Sequence, residues 1–372
     1  MKLIIINKVL WKNVYLVLLD KDNNVIEKEK LSFDDNKKVV KEIDLNKAKY
    51  CYFTNDQRKT DIIILSTNLS ILTLRYNRKT KLYKCDLYNE KQDKYGKVYN
   101  YVLKDEKNLF YREDKSKVIN VYVPSYYNLK KKYKVLIMFD SQNIYHIEKV
   151  GKYTTLNDPY GGWQIETSLE NTKQDYIIVG IENADDYRAL ELSFDKYSEN
   201  LKLDFFNNKE MTCHLDNLDD FINETLLPFI KERFNIDDNN MGVGGASCGG
   251  MASLYVGLRN MDKYNFIFTF TPAIGIIGDE SLTKLFNDFN FKDNYNSLPY
   301  IFFFQGNMGE LEHFLHESNK NLIDILIKTG YNWKISDSYI QNDANHNEDP
   351  WRYAFNYAIN MIKEKIWILV FL

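Results

Sequence analysis

The sequence predicts an α/β protein, a mainly parallel sheet covered by helices, preceded by a small all-β sandwich-like unit. Three observations carry this. The first glycine is Gly96 and the first proline Pro124, although the 372 residues include 16 Gly and 6 Pro. Before that point short β-rich runs are separated by Asn/Asp clusters, whose side chains supply turn conformations usually left to glycine. From Val118 onward apolar strand-like runs alternate with amphipathic stretches, the pattern of a parallel sheet with helical crossovers. The expected division is residues 1–98 and 99–372.

In order, the N-terminal strands are expected at Val14 to Leu19, Lys49 to Phe53, Ile62 to Leu65, Ile71 to Tyr76 and Lys81 to Leu87, paired as an antiparallel sandwich. The charged stretch from about 104 to 117 reads as a connector or exposed edge. Strands follow at Val118 to Val123, Lys134 to Phe139, Tyr176 to Ile181, Met241 to Gly244, Phe266 to Thr271, Tyr300 to Phe304 and Trp333 to Ile340. Several are continuous apolar runs, as in strands covered on both faces. Leu218 to Phe234, Met251 to Leu258 and Trp351 to Ile362 read as helices. The apolar end, Ile366 to Leu372, is too short for the roughly 20 residues that span a bilayer and is expected at a buried or sheet-edge position.

Charge and cysteine content narrow the function. With 49 Lys+Arg against 52 Asp+Glu the net charge is -3, so no broad positive field attracts nucleic acid or an anionic membrane. Cys51, Cys85, Cys213 and Cys248 are scattered, without metal-ribbon or disulfide-scaffold spacing. Met1 to Ile6 starts like an export signal, but Asn7, Lys8, Lys12 and Asn13 interrupt the apolar run. A reducing, cytoplasmic setting is the expectation.

The sharpest motif is Gly245-Ala246-Ser247-Cys248-Gly249, a Gly-x-Ser-x-Gly between a strand and a helical stretch. Small residues flanking the serine allow a tight strand-to-helix turn that holds its hydroxyl outward as a nucleophile. A Gly-rich packing or phosphate-binding turn is the bland competitor, but the glycines fit neither phosphate fingerprint. In hydrolases built on this turn the acid and then the histidine follow the serine in the chain. Of the five histidines, His346 lies in a polar loop after the last expected strand and before a helix, where a general base belongs; a helix-capping or solvated histidine is the plain alternative. The acid should follow the strand Tyr300 to Phe304, where Glu310 is the first choice and Glu312 the second. Donors for a developing oxyanion are expected from the backbone N–H of Cys248 and from the loop Asp140-Ser141-Gln142-Asn143, through Ser141 or Gln142. Cys248 itself is a weak rival nucleophile, since that position points away from substrate. His313 and His316 sit three apart but match no metal-binding signature, so a solvated or half-buried helix face is expected. Trp11, Tyr50, Tyr52 and Phe53 could stack on sugars, yet aromatics in strands are more often core.

Several segments together resemble a known family. Val121-Tyr122-Val123-Pro124 followed by Tyr127 is similar to its opening strand. Val135-Leu136-Ile137-Met138-Phe139-Asp140-Ser141-Gln142-Asn143 resembles its VLYMHDGQN, and Val179-Gly180-Ile181-Glu182-Asn183 with Arg188 and Glu191 its VGIxN…R…E. Ser247 stands where it has GSSMGG, and His346 with Trp351 matches its final histidine and tryptophan. From about Val118 to Ile362 the chain resembles the putative-esterase branch of the α/β-hydrolases, with its enterochelin, esterase D, feruloyl and acetyl-xylan esterases. Phe139 and Ser141 depart from the usual His and Gly, and Phe194 stands where a proline is frequent.

The resemblance implies a serine esterase acting on a siderophore, feruloyl or acetyl-carbohydrate, or small thiol ester, with no metal or organic cofactor. It also implies that Arg188, Glu191 and Trp351 serve substrate binding and that the N-terminal unit shapes or covers the cleft. Expected partners are small-molecule or carbohydrate esters, not nucleic acid or membrane, with a homodimer as the assembly allowed for. A catalytically silent glycan-binding or scaffold protein is the second reading, motivated by Phe139 and Ser141; acyl transfer through Ser247 is a third.

Overall fold

The structure is a computed structural model that describes residues 2–370 apart from 8, 10, 35–36, 61, 66–70, 78–81, 89–95, 112, 146–161, 195–211 and 334–335. His146 lies outside the described residues. The N-terminal strands are β1 (Lys2–Asn7), β2 (Tyr15–Leu19), β3 (Val25–Lys30), β4 (Lys38–Glu42), β5 (Tyr50–Thr54), β6 (Ile63–Ile64), β7 (Ile71–Asn77) and β8 (Leu82–Tyr88). They form two four-stranded sheets, ordered β4-β1-β7-β8 and β3-β2-β5-β6. Leu3, Ile5, Leu72 and Leu74 of the first share one buried cluster with Leu16, Leu18, Cys51 and Phe53 of the second, so the two sheets sandwich a common core. Alternate residues of each strand reach it, as the two-residue period of a strand requires.

Two details differ from the sequence reading. The apolar start of the chain is β1, which lies inside its sheet and pairs parallel to β7 and antiparallel to β4, so the sandwich is not purely antiparallel. The strands β3 and β4 are absent from the sequence reading because VIEKEK and KVVKE are charged and mostly exposed edge strands, with little apolar signal. Trp11 and Phe53 are buried in the sandwich core, as the plainer reading of those aromatics has it, whereas Tyr50 and Tyr52 are half-buried.

The second region contains β9 (Lys97–Lys104), β10 (Ser116–Val123), β11 (Tyr133–Phe139), β12 (Tyr176–Ile181), β13 (Ile236–Ala246), β14 (Phe266–Phe270), β15 (Tyr300–Gly306) and β16 (Asp337–Gln341). Its helices are α1 (Ser141–Ile144), α2 (Ile165–Thr172), α3 (Arg188–Glu191), α4 (Leu215–Phe221), α5 (Leu227–Arg233), α6 (Cys248–Arg259), α7 (Asp279–Asp288), α8 (Glu310–Lys328) and α9 (Glu348–Val370); a π-helical turn, Ile222–Leu226, joins α4 to α5. The eight strands form one sheet in the order β16-β15-β14-β13-β11-β12-β10-β9, parallel from β16 through β12 and closed by two antiparallel strands. The charged stretch near 104–117 is the turn between β9 and β10.

Alternation within the strands assigns side chains to two faces. Ile267, Ile301 and Phe303 pack with α4, α5, α6 and α7 on one side. Phe266, Phe268, Phe270, Phe302 and Phe304 pack with α2 and α9 on the other. Each such phenylalanine removed from water is worth roughly 1.5–3 kcal/mol, so the aromatic columns of β14 and β15 dock α9 firmly. The apolar C-terminal segment continues α9 through Val370 rather than ending at a sheet edge. Among the described residues no helix is long and apolar enough to cross a membrane.

Candidate active site

Because six neighbouring strands run parallel, the segments that follow them emerge at one edge of the sheet, where such folds place their sites. The loop after β11 carries Asp140 to Asn143, that after β12 carries Asn183 and Arg188, and β13 leads directly into Ser247. The segments after β15 and β16 carry Glu312 and His346.

Ser247 occupies the turn between β13 and α6 with φ 58° and ψ -123°, a strained backbone for any residue with a side chain. Its amide donates to the Phe270 carbonyl and its carbonyl accepts from Met251 and Ala273, each at 3.0 Å. The two flanking glycines are steric requirements. A Cβ on Gly245 would lie 2.5 Å from the Gly249 carbonyl oxygen, and one on Gly249 would lie 2.8 Å from an Asp140 carboxylate oxygen. Ser247 is half-buried, whereas Cys248 is buried. Burial pushes the Cys248 thiol up, against the opposing pull of the Arg188 guanidinium beside it, so the thiol is held protonated and is a poor nucleophile.

His346 Nδ1 lies 3.1 Å from Glu312 Oε1, with the histidine side chain 13% exposed and the glutamate fully buried. Gln305 Nε2 also donates to Glu312 Oε2 at 2.5 Å. Glu310, the sequence's first choice, is exposed at the first position of α8 and is not brought to His346; the second choice, Glu312, is. The Trp351 indole stands edge-on to the imidazole, centroids 5.0 Å apart at 84°, and its Nε1 donates to Thr271 Oγ1 at 3.3 Å.

The loop after β11 is fixed from beneath. Asp140 holds the left-handed conformation at φ 59°. Its carboxylate accepts from Arg188 Nε at 2.7 Å, Arg188 Nη2 at 2.8 Å and Asn183 Nδ2 at 2.6 Å. Ser141 turns inward and its hydroxyl donates to Asn120 Oδ1 at 2.5 Å, so the hydroxyl is engaged in the core. Gln142 is fully buried; its Oε1 accepts from the Asn183 amide at 3.4 Å, and its Nε2 has no hydrogen-bond partner among the described residues. The leading N–H groups of α1 and α6 have no partner within their helices, as at every helix start.

Three residues expected to bind substrate are occupied otherwise. Arg188 is committed to Asp140. Glu191 is buried and forms an ion pair with buried Lys117, a pairing that both charges need once out of water. Trp351 is 6% exposed and packed between Thr271, Trp163 and His346. In this chain all three side chains make scaffold contacts. Among the described residues no group of three or more metal-ligating side chains exists, and His313 is exposed on α8. Asn183 stands in the sequence only as the asparagine of the VGIxN segment, without a role, and Thr271 carries no motif; their contacts with Asp140 and Trp351 depend on strand order and backbone angle.

The strand order, the helices on both faces and the serine turn define an α/β-hydrolase. The chain belongs to the "Putative esterase" family, whose model matches residues 113–360. Membership supports ester hydrolysis as the activity. Among solved structures, a ferulic acid esterase is 15% identical with a TM-score of 0.50, over 72% of this chain and 98% of that one. The BES protein from Bacillus cereus is 18% identical with a TM-score of 0.50, over 70% and 94%. The enterobactin esterase FES from Shigella flexneri is 11% identical with a TM-score of 0.49, over 95% and 89%. At these identities the likeness is one of fold. No curated protein matches the chain.

Proposed function

We propose that the chain is a serine esterase in which Ser247, His346 and Glu312 form the catalytic triad. Ser247 Oγ attacks the ester carbonyl carbon while His346 takes its proton, and the alcohol leaves with that proton to give an acyl-enzyme. Water, deprotonated by His346, then releases the acid. Glu312 holds the imidazole tautomer and stabilises the imidazolium. The backbone N–H of Cys248, with that of Ser141 or Gln142, would receive the negative charge on the carbonyl oxygen.

The observation that carries this reading is the His346–Glu312 pair at 3.1 Å on the same sheet edge as a serine in a strained strand-to-helix turn. The departures that favoured a silent binding protein do not weigh against it: Phe139 is packed in the core and the Ser141 side chain is turned inward. The resemblance in sequence suggests siderophore, feruloyl or acetyl-carbohydrate esters, and three buried free cysteines suit a reducing compartment.

Hydrolysis of 4-methylumbelliferyl acetate tests the chemistry. Ser247→Ala and His346→Ala should each lower kcat by about 10⁴-fold or more. Wild-type turnover by either variant, in a preparation free of other hydrolases, would refute the assignment.

A further inference from the structure

Thr271 has a backbone poorly suited to its side chain. It is β-branched, fully buried and held at φ 40°, where crowding about Cβ makes such residues rare. A strained residue of this kind persists only where its surroundings over-determine it. Here the Thr271 amide donates to the Phe304 carbonyl at 2.7 Å, and its Oγ1 accepts the Trp351 indole N–H at 3.3 Å. On either side of it, the Phe270 carbonyl and the Ala273 amide bond the backbone of Ser247, both at 3.0 Å. One turn, residues 270–273, thus touches the nucleophile directly and the base through Trp351.

His346 needs such a contact. Its hydrogen bond to Glu312 fixes Nδ1 and leaves the ring able to swing about that point. The edge-on indole at 5.0 Å is a wall against that swing. A wall is only as fixed as its own anchor, and the indole N–H is anchored on Thr271.

We propose that Thr271 is a positioning residue: through the Trp351 indole it holds the His346 imidazole in line with Ser247. This rests on the Ser247 and His346 assignment above, and the experiment separates the two. The full-length chain is labelled with a fluorophosphonate, and the maximal rate and half-saturating concentration are measured, with thermal melting alongside. Thr271→Val keeps the shape and removes the hydroxyl, and Thr271→Ser keeps the hydroxyl. The expectation is a maximal rate about tenfold lower for Thr271→Val with half-saturation unchanged, and near-wild-type labelling for Thr271→Ser. Trp351→Phe should reproduce the loss, and the double variant should be no slower than the slower single one, as for residues acting in series. Should Thr271→Val not fold, the Trp351→Phe rate decides alone.

The proposal is overturned by a wild-type maximal rate in Thr271→Val or in Trp351→Phe, by Thr271→Ser as slow as Thr271→Val, by losses that multiply, or by a loss confined to half-saturation. Labelling of Ser247→Ala at the wild-type rate, or no labelling of the wild type, instead overturns the catalytic assignment and this proposal with it.

Discussion

His346 and its carboxylate show how much a single residue position decides. Successive helical residues turn by 100°, so Glu310 and Glu312 project about 200° apart and only one can reach the histidine. The buried positions Glu312, Leu315, Asn319, Leu322 and Leu326 form one stripe of α8, and that stripe selects Glu312. Glu312→Gln should therefore lower kcat about a thousandfold by disturbing the imidazole tautomer, while Glu310→Gln stays within about twofold; parallel ester-hydrolysis kinetics decide. Ser247 and His346 stood out in the sequence because a compact motif and chain order mark them. The acid did not, because its identity depends on the rotation of a helix whose start one sequence leaves open. The apolar spacing at 315, 322 and 326 was the available signal: counted back by helical periods, it reaches 312.

At the scale of elements, the loop after β11 and the start of α6 are tied together by one ion pair. Arg188 from α3 holds Asp140, and Asp140 abuts Gly249, so the two segments proposed to receive the oxyanion share one support. Arg188→Met leaves the largely buried Asp140 carboxylate without its cation. The expected cost is about 2 kcal/mol, below that of a fully buried pair because the guanidinium side chain is 32% exposed. Melting temperature should fall, and fluorophosphonate labelling of the folded variant should slow more than about tenfold as the donors lose their spacing. A variant that melts lower but labels at the wild-type rate would leave Arg188 a purely structural role. The strands of this region other than β9 were legible as apolar runs, and the Arg/Glu motif was legible as a pattern. What the two charges do was not, since Asp140 and Lys117 meet them only after strands distant in the sequence are paired.

For the whole molecule, the N-terminal sandwich has its own core, whereas the large sheet is packed on both faces by helices. We propose two folding units dividing just before β9, because β8 completes a sandwich sheet and β9 pairs with β10. The units touch through Tyr99, which packs against both cores, and through Asn23 Nδ2 donating to Asp114 at 2.8 Å. Phe53→Ala should destabilise the sandwich by about 3–5 kcal/mol and leave the labelling rate of Ser247 unchanged; a single unfolding transition lost as one, together with labelling, would argue for one cooperative unit. The change near residue 96 from glycine-free β segments to strand–helix alternation is the sequence signal behind this proposal, although the expected boundary at 98/99 falls inside β9; exposed charged strands such as β3 carry too little apolar signal to be seen.

The central claim is that Ser247 is an activated nucleophile. Reaction of the full-length protein with a fluorophosphonate, followed by mapping of the adduct by peptide mass spectrometry, tests it without knowledge of the substrate. The account predicts one adduct, on Ser247, absent from Ser247→Ala. A folded wild-type protein that forms no adduct, or carries it on another residue, would contradict it.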